Sequence, residues 1–249
     1  MITPPLRDLL GYSVTDVSML HLINLLKQDI AAGRQVQIVT LNPEMLAHQS
    51  YDTNFQRVLR RAEYLVADGS GVVLASRILG CPIHNRLPGV ELAEEIFWEG
   101  TRRSWKIYCL GGSGKTLDQA VRRIRERFPG IRLAGWHHGY FSDDDLLVRE
   151  INRTRADVLL VGLGSPRQEE WIARHRSRLI ARVLVGVGGS FDVIGGSKRR
   201  APALFRKFGV EWVWRVISEP RRLKRIIPSF CRFGWLVACE RLTAHRRLP

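Results

Sequence analysis

The sequence is poor in residues that staple a fold or hold a metal. Its four cysteines, Cys81, Cys109, Cys231 and Cys239, contain no C-x-x-C pair, so neither a disulfide framework nor a zinc-finger spacing is available. Cys109 lies in an apolar run, and reduced thiols in a cytoplasmic setting are expected. The seven histidines show no metal-ligand spacing, and the adjacent His137 and His138 point apart on an extended strand. No apolar stretch approaches the ~18 residues needed to cross a bilayer. The opening "MITPPLRDLLGYSV" has no basic region followed by an apolar one, so export by a signal peptide is not expected. G-x-S-x-G is missing, which removes the serine-hydrolase nucleophile elbow.

A nucleotide-hydrolysing phosphate loop is missing by one residue. "CLGGSGKT" ends in Gly114, Lys115 and Thr116, but Cys109 stands where the first glycine must let the backbone wrap the β-phosphate. The next apolar strand, "ADVLLVGLG", closes on glycine where a magnesium-holding aspartate is wanted. The segment is read instead as a strand, a turn at Gly111 and Gly112, and a helix from near Leu117, whose backbone N–H groups can face an anion.

Acidic residues are also scarce: 24 Asp and Glu stand against 39 Lys and Arg, for a net charge of +15. From Lys198 onward 14 Lys and Arg meet 3 Glu, so +11 of that charge belongs to the C-terminal segment. Such a tail suits nucleic acid, an anionic membrane or a phosphorylated ligand.

What is abundant is short, continuous apolar runs between helix-like stretches: "QVQIVTL", "YLVAD", "WKIYCL", "IRLAGW", "DVLLVGLG" and "RVLVGVGG". Unbroken hydrophobicity marks strands buried on both faces, with the helices as parallel crossovers. The predicted class is α/β: a Rossmann-like parallel sheet with helices on both faces, plus a basic helical C-terminal appendage. The pattern changes at Gly195-Gly196-Ser197, which predicts a catalytic domain over residues 1–196 and an appendage over 197–249.

Ligands of such sheets bind beyond the carboxyl ends of the strands, where this sequence places small and polar residues. "TLNPEM" puts Thr40 and Asn42 at a strand end, with Pro43 at a first helical position. Asn42 is an ordinary N-cap and can also present its side chain to a ligand. "VADGSG" puts Asp68 directly after a strand, as a general base with its proton affinity raised by burial or as a helix cap; spacing does not choose between them. "GSPRQEEW" carries Gly164 and then turns into a helix at Pro166, placing Gln168 and Glu169 in a first turn suited to a phosphate or a sugar hydroxyl. "SDDD" resembles a metal-holding D-x-D, but Ser142 before a helix with acids in its first turn is a capping box.

In the tail, Leu223, Ile226, Ile227, Phe230, Phe233 and Val237 fall on one arc at about 100° per residue, with Arg221, Lys224, Arg225 and Arg232 outside it. The helix either packs on the core or lies in a membrane interface with Trp235 among the headgroups. Pro228 is expected to kink or divide it.

Taken in order, "TLNPEM", "VADGSGVVLASRILG", "RLPGVEL", "GGSGKT", "GLGSPRQEEW", "VGVGGSFDVIGG", "RAP" and "EWVWRVISEPRRLKR" resemble the WecG/TagA/CpsF glycosyltransferase family, that of the bacterial N-acetylmannosaminyltransferases. The resemblance implies inverting sugar transfer from a UDP donor to a polyprenyl-diphosphate-linked acceptor at the cytoplasmic membrane face, without a bound metal or other cofactor. It implies Asp68 as general base beside Thr40 and Asn42, Arg86 on the phosphates, and Gln168 in the nucleotide-sugar pocket. It further implies that Arg215, Arg222 and Arg225 close over the site at the membrane. "RLPGVEL" departs from the more common pattern at Pro88 and Glu91, so the donor stays open among UDP-N-acetylmannosamine, UDP-glucose and a UDP-uronic acid. Self-association is also open. The competing reading is a non-enzymatic module holding nucleic acid on its tail; no recognisable nucleic-acid module supports it, so nucleic acid is not expected as a partner.

Overall fold

Residues 4–202, 205, 211–218 and 223–246 are described by a computed structural model. After a hairpin of β1 (Leu6–Leu9) and β2 (Tyr12–Thr15), each predicted apolar run forms one strand of a second sheet. These are β3 (Val36–Leu41), β4 (Tyr64–Ala67), β5 (Lys106–Gly111), β6 (Arg132–His137), β7 (Val158–Gly162) and β8 (Val183–Gly186). They pair in parallel in the order β4-β3-β8-β7-β5-β6.

Alternate residues of each strand enter different cores, as the two-residue strand period requires. Ile38, Val66, Ile107, Leu160 and Val185 pack on one face against α1 (Met19–Ala31), α5 (Gly89–Arg103) and α6 (Gly114–Arg127). On the other face, Val39, Leu41 and Leu65 meet α2 (Pro43–Gln49), α3 (Thr53–Arg61) and α4 (Ser70–Ile78). Tyr108, Leu110, Leu159 and Leu184 meet α7 (Asp144–Arg153) and α8 (Arg167–His175). The fold is therefore Rossmann-like α/β with helices on both faces. From β3 the chain runs outward to β4 and then crosses to β5 in the opposite half, a reversal that opens a crevice at the strand ends.

Local capping chemistry sets where helices begin. Asn42 accepts the Met45 N–H at 3.0 Å, with Pro43 in the first turn. The helix expected near Leu117 starts at Gly114, because Ser113 takes the cap and accepts the Thr116 N–H at 3.3 Å. Asp143, not Ser142, caps α7 and accepts the Leu146 N–H at 2.8 Å. Asp144 accepts from Trp171 Nε1 at 2.8 Å and Asp145 from Arg178 at 2.6 Å. All three carboxylates of "SDDD" thus have structural partners.

The hairpin was not anticipated. Its turn places Leu10 and Gly11 at φ 53° and 76°, the positive-φ pair of a type I′ turn, which leucine rarely enters. Tyr12 donates its hydroxyl to Gln49 Oε1 at 2.8 Å, tying the hairpin to α2. Just beyond β2, buried Asp16 accepts from the backbone N–H groups of His84 and Asn85 at 3.1 and 3.0 Å. Burial pushes the Asp16 carboxyl up, yet these and the side-chain bonds from His84 and Asn85 hold it below its ordinary value. The segment leading to Arg86 is anchored there.

Beyond α9 (Ser190–Ile194), the described C-terminal helices are α10 (Glu211–Ser218) and α11 (Leu223–Arg246). Pro228 lies within α11 without ending it. The expected arc splits: Ile226, Phe233 and Val237 are buried, whereas Leu223 and Ile227 are exposed. Phe233 and Val237 join the core of Leu9, Tyr12 and Met45. With only seven residues against 24, α2 is too short to cover the whole helix. No helix among the described residues is long and apolar enough to cross a membrane.

Because Phe233 fills that core, Phe233→Ala is expected to lower the unfolding free energy by about 3 kcal/mol in urea titration. An unchanged midpoint would show that α11 does not pack there.

Candidate active site

A cleft of about 730 Å³ opens at the carboxyl ends of β3, β4, β7 and β8, a volume typical of small-molecule sites. The loop after β8 folds back onto the end of β7. A Cβ on Gly162 would stand 2.7 Å from the Phe191 ring and 2.8 Å from the Gly188 carbonyl. Neither neighbour has room to yield, so β7 must end in glycine.

Thr40, Asn42 and Asp68 line the cleft. Thr40 is buried in β3 and donates to the Gly186 carbonyl at 3.5 Å. Asp68 follows β4, where its backbone N–H donates to the Leu41 carbonyl at 2.7 Å. The N-cap of α4 is Gly69, at φ 95°, so the cap role weighed for Asp68 falls to a residue without a side chain. The same lining includes Lys198, Arg199 and Arg200, with Asp192, which pairs with Lys198 at 3.2 Å, and Glu211 and Trp214 of α10. Sequence reasoning assigned these three cations to the appendage charge; "KRRAP" directly after a glycine-rich strand end was the available signal.

The remaining expected site residues divide. Gly112, Gly164 and Gln168 line the cleft. Gly111 closes β5 in register with Gly162 and lies behind that lining. Arg86 lines a neighbouring cavity of about 350 Å³ that shares Arg200 with the cleft, and it binds Glu211 Oε1 at 2.7 Å. Pro88 lines the cleft, whereas Glu91 lines the neighbouring cavity and pairs with Arg200, which lines both. Arg222 lies outside the described residues, and for Arg215 in α10 and Arg225 in α11 only the helix positions are described. Among the described residues, no three His, Cys, Asp or Glu gather in a metal-ligating group.

Glu169 is also off the cleft wall, fully buried beneath Gln168. Burial lifts its carboxyl to about 7, against the opposing hydrogen bonds from Gln168, its own N–H and Ser165. A carboxyl raised in the folded state binds protons more tightly there than in the unfolded chain. Its stabilising effect is therefore complete below about 4.5 and lost as pH rises through about 7. At about 1.4 kcal/mol per unit, Glu169→Gln should gain about 3 kcal/mol relative to wild type between pH 4.5 and pH 8 in paired denaturant titrations. Parallel pH profiles for the two proteins would contradict the buried charge.

The model of the Glycosyl transferase WecG/TagA/CpsF family matches residues 7–247. N-acetylglucosaminyldiphosphoundecaprenol N-acetyl-beta-D-mannosaminyltransferases of Staphylococcus aureus strains MW2, NCTC 8325 / PS 47 and COL are each 36% identical over 228 residues. The match covers 90% of this chain and 89% of each relative. A family match over nearly the whole chain, joined to a cleft at the strand ends of an α/β sheet, places the protein: it belongs to the WecG/TagA/CpsF family of glycosyl transferases.

Proposed function

We propose that this glycosyltransferase moves a hexosyl residue from a UDP-sugar to a polyprenyl-diphosphate-linked glycan, with inversion and without a metal. The donor is of the UDP-N-acetylmannosamine type, in keeping with the N-acetylmannosaminyl transfer named for the relatives; UDP-glucose and UDP-uronic acids are the alternatives for a test to separate. The observation that supports this reading is the make-up of the cleft, where Asp68, Thr40 and Asn42 share one lining with Lys198, Arg199 and Arg200.

An acceptor hydroxyl must lose its proton as its oxygen attacks the anomeric carbon. Asp68 takes that proton, while the bond from the anomeric carbon to the UDP oxygen breaks and its electron pair leaves with UDP. A positioned base contributes about 10²- to 10⁴-fold to such a step. The diphosphate's growing negative charge falls to guanidinium and ammonium groups, which act strongly where water is displaced. Lys198 and Arg200 stand at the cleft, and Arg86 reaches the phosphates once its bond to Glu211 is exchanged. Gln168 holds the nucleotide sugar, and Arg215, Arg222 and Arg225 close over it.

Residues 197–249 serve as a membrane-associating appendage on the cytoplasmic face. Support comes from α11, which buries Phe233 and Val237 while Trp235 is 70% exposed and Ile227 and Leu242 also face outward. Apolar side chains beside exposed Lys224 and Arg232 suit an anionic lipid surface.

Asp68→Ala is expected to reduce sugar transfer by about 10²- to 10⁴-fold while UDP still binds, read by product formation and calorimetry. Full turnover in that variant would remove Asp68 from the chemistry. Lys224→Glu changes two charge units, at about 1 kcal/mol each near anionic lipid, so its partition onto phosphatidylglycerol vesicles should fall on the order of thirtyfold. Unchanged partition would place the membrane contact elsewhere.

A further inference from the structure

The Gln168 amide is held at both ends. The Gly188 N–H donates to Gln168 Oε1 at 2.9 Å, which turns the carbonyl toward the loop after β8. Gln168 Nε2 donates to Glu169 Oε1 at 2.6 Å. A backbone N–H only donates and a carboxylate only accepts, so this arrangement admits one orientation of the amide. Strand β8 is shaped around the pair: a Cβ on Gly186 would lie 2.7 Å from Gln168 Nε2 and 2.9 Å from Glu169 Oε1. Gln168 and Gly188 both line the cleft, and Glu169 does not.

An acid whose only task is to begin a helix stays in water at the first turn. Glu169 is instead fully buried, and its Oε2 has no hydrogen-bond partner among the described residues. Burying such a group destabilises the fold, and a neutral side chain of similar size would fill the space at less cost. The carboxylate therefore calls for a role that the fold itself does not supply.

We infer that Glu169 is a positioning residue, whose carboxylate orients the Gln168 amide and, through it, the Gly188 backbone, so that the cleft meets the donor with its hydrogen-bonding groups already set. The identity of the ligand rests on the UDP-sugar reading; the relay from Glu169 to Gly188 does not. Groups acting on the carboxyl are Gln168, Ser165 and its own N–H, which favour charge, and Glu170, which opposes it. From β3, Gln37 Nε2 reaches the Glu169 backbone carbonyl at 3.4 Å, and β8 presents Gly186. Because burial lifts the carboxyl to about 7, the relay tightens as pH rises through neutrality.

The test uses the full chain as wild type, Glu169→Gln and Glu169→Met, each checked for folding by thermal melt. In wild type, the NMR signals of the Gln168 side-chain amide and the Gly188 N–H should titrate together with a midpoint near 7. The Gln variant, which still offers an acceptor, should keep these signals near their high-pH positions with no midpoint. UDP affinity by calorimetry should rise with the wild-type midpoint and be flat in the Gln variant. In the Met variant at pH 8 it should be roughly tenfold weaker, as expected for losing a charge-assisted hydrogen bond. Signals that ignore this midpoint, or a folded Met variant that binds UDP like wild type, would overturn the relay. Titrating signals in a wild-type protein that binds no UDP would uphold the relay and sink the donor assignment instead.

Discussion

Close backbone approach at the ends of β7 and β8 is the constraint on which the cleft depends. Gly162 admits Phe191 and the Gly188 carbonyl against β7, and Gly186 admits Gln168 and Glu169 against β8. With no side chains at these positions, Phe191 and Gly188 of the loop after β8 pack onto the end of β7, and the Gln168 and Glu169 side chains pack onto β8. Functional groups then come from the rim: helix starts after β3 and β7, the turn after β4, and the basic segment from Lys198. A methyl group on Gly162 would meet the Gly188 backbone, which cannot relax as a flexible side chain does.

The cleft lining carries both signs of charge, Asp68, Asp192 and Glu211 together with Lys198, Arg199 and Arg200, and under the proposed function they serve proton removal and anion stabilisation. Ion pairs join the basic residues to the rest of the fold, Arg200 to Glu91 and Arg86 to Glu211. The Arg86 to Glu211 contact spans 125 residues of sequence and couples the segment anchored by Asp16 to α10. Helix α11 adds a second coupling, because Phe233 and Val237 enter the core beside α2, whose first turn is capped by Asn42 at the cleft. Under the proposed function, contact with lipid and the state of the cleft are linked through two short elements.

Much of the scaffold was legible. Strands buried on both faces need unbroken apolar runs, and all six runs became strands of the parallel sheet. Asn42-Pro43 read as a helix start because cap chemistry is local. The hairpin was illegible because Leu10 at positive φ carries no turn signature, and tertiary contacts through Tyr12 hold it. Glu169 read, with Gln168, as a ligand-facing residue of a first helical turn, since nothing local reveals that β8 will cover it. The pairing of Arg86 with Glu211 is likewise a product of the fold, invisible in either segment alone.

The central claim is that Asp68 and the cleft's cations together carry sugar transfer onto a lipid-linked acceptor. Mass spectrometry of a panel of prenyl-diphosphate-linked glycans incubated with the protein and a panel of UDP-sugars tests it most directly. The account predicts a mass gain of one hexosyl residue on the lipid product with one donor, undiminished by EDTA. No gain with any donor, or a gain abolished by EDTA, would contradict it.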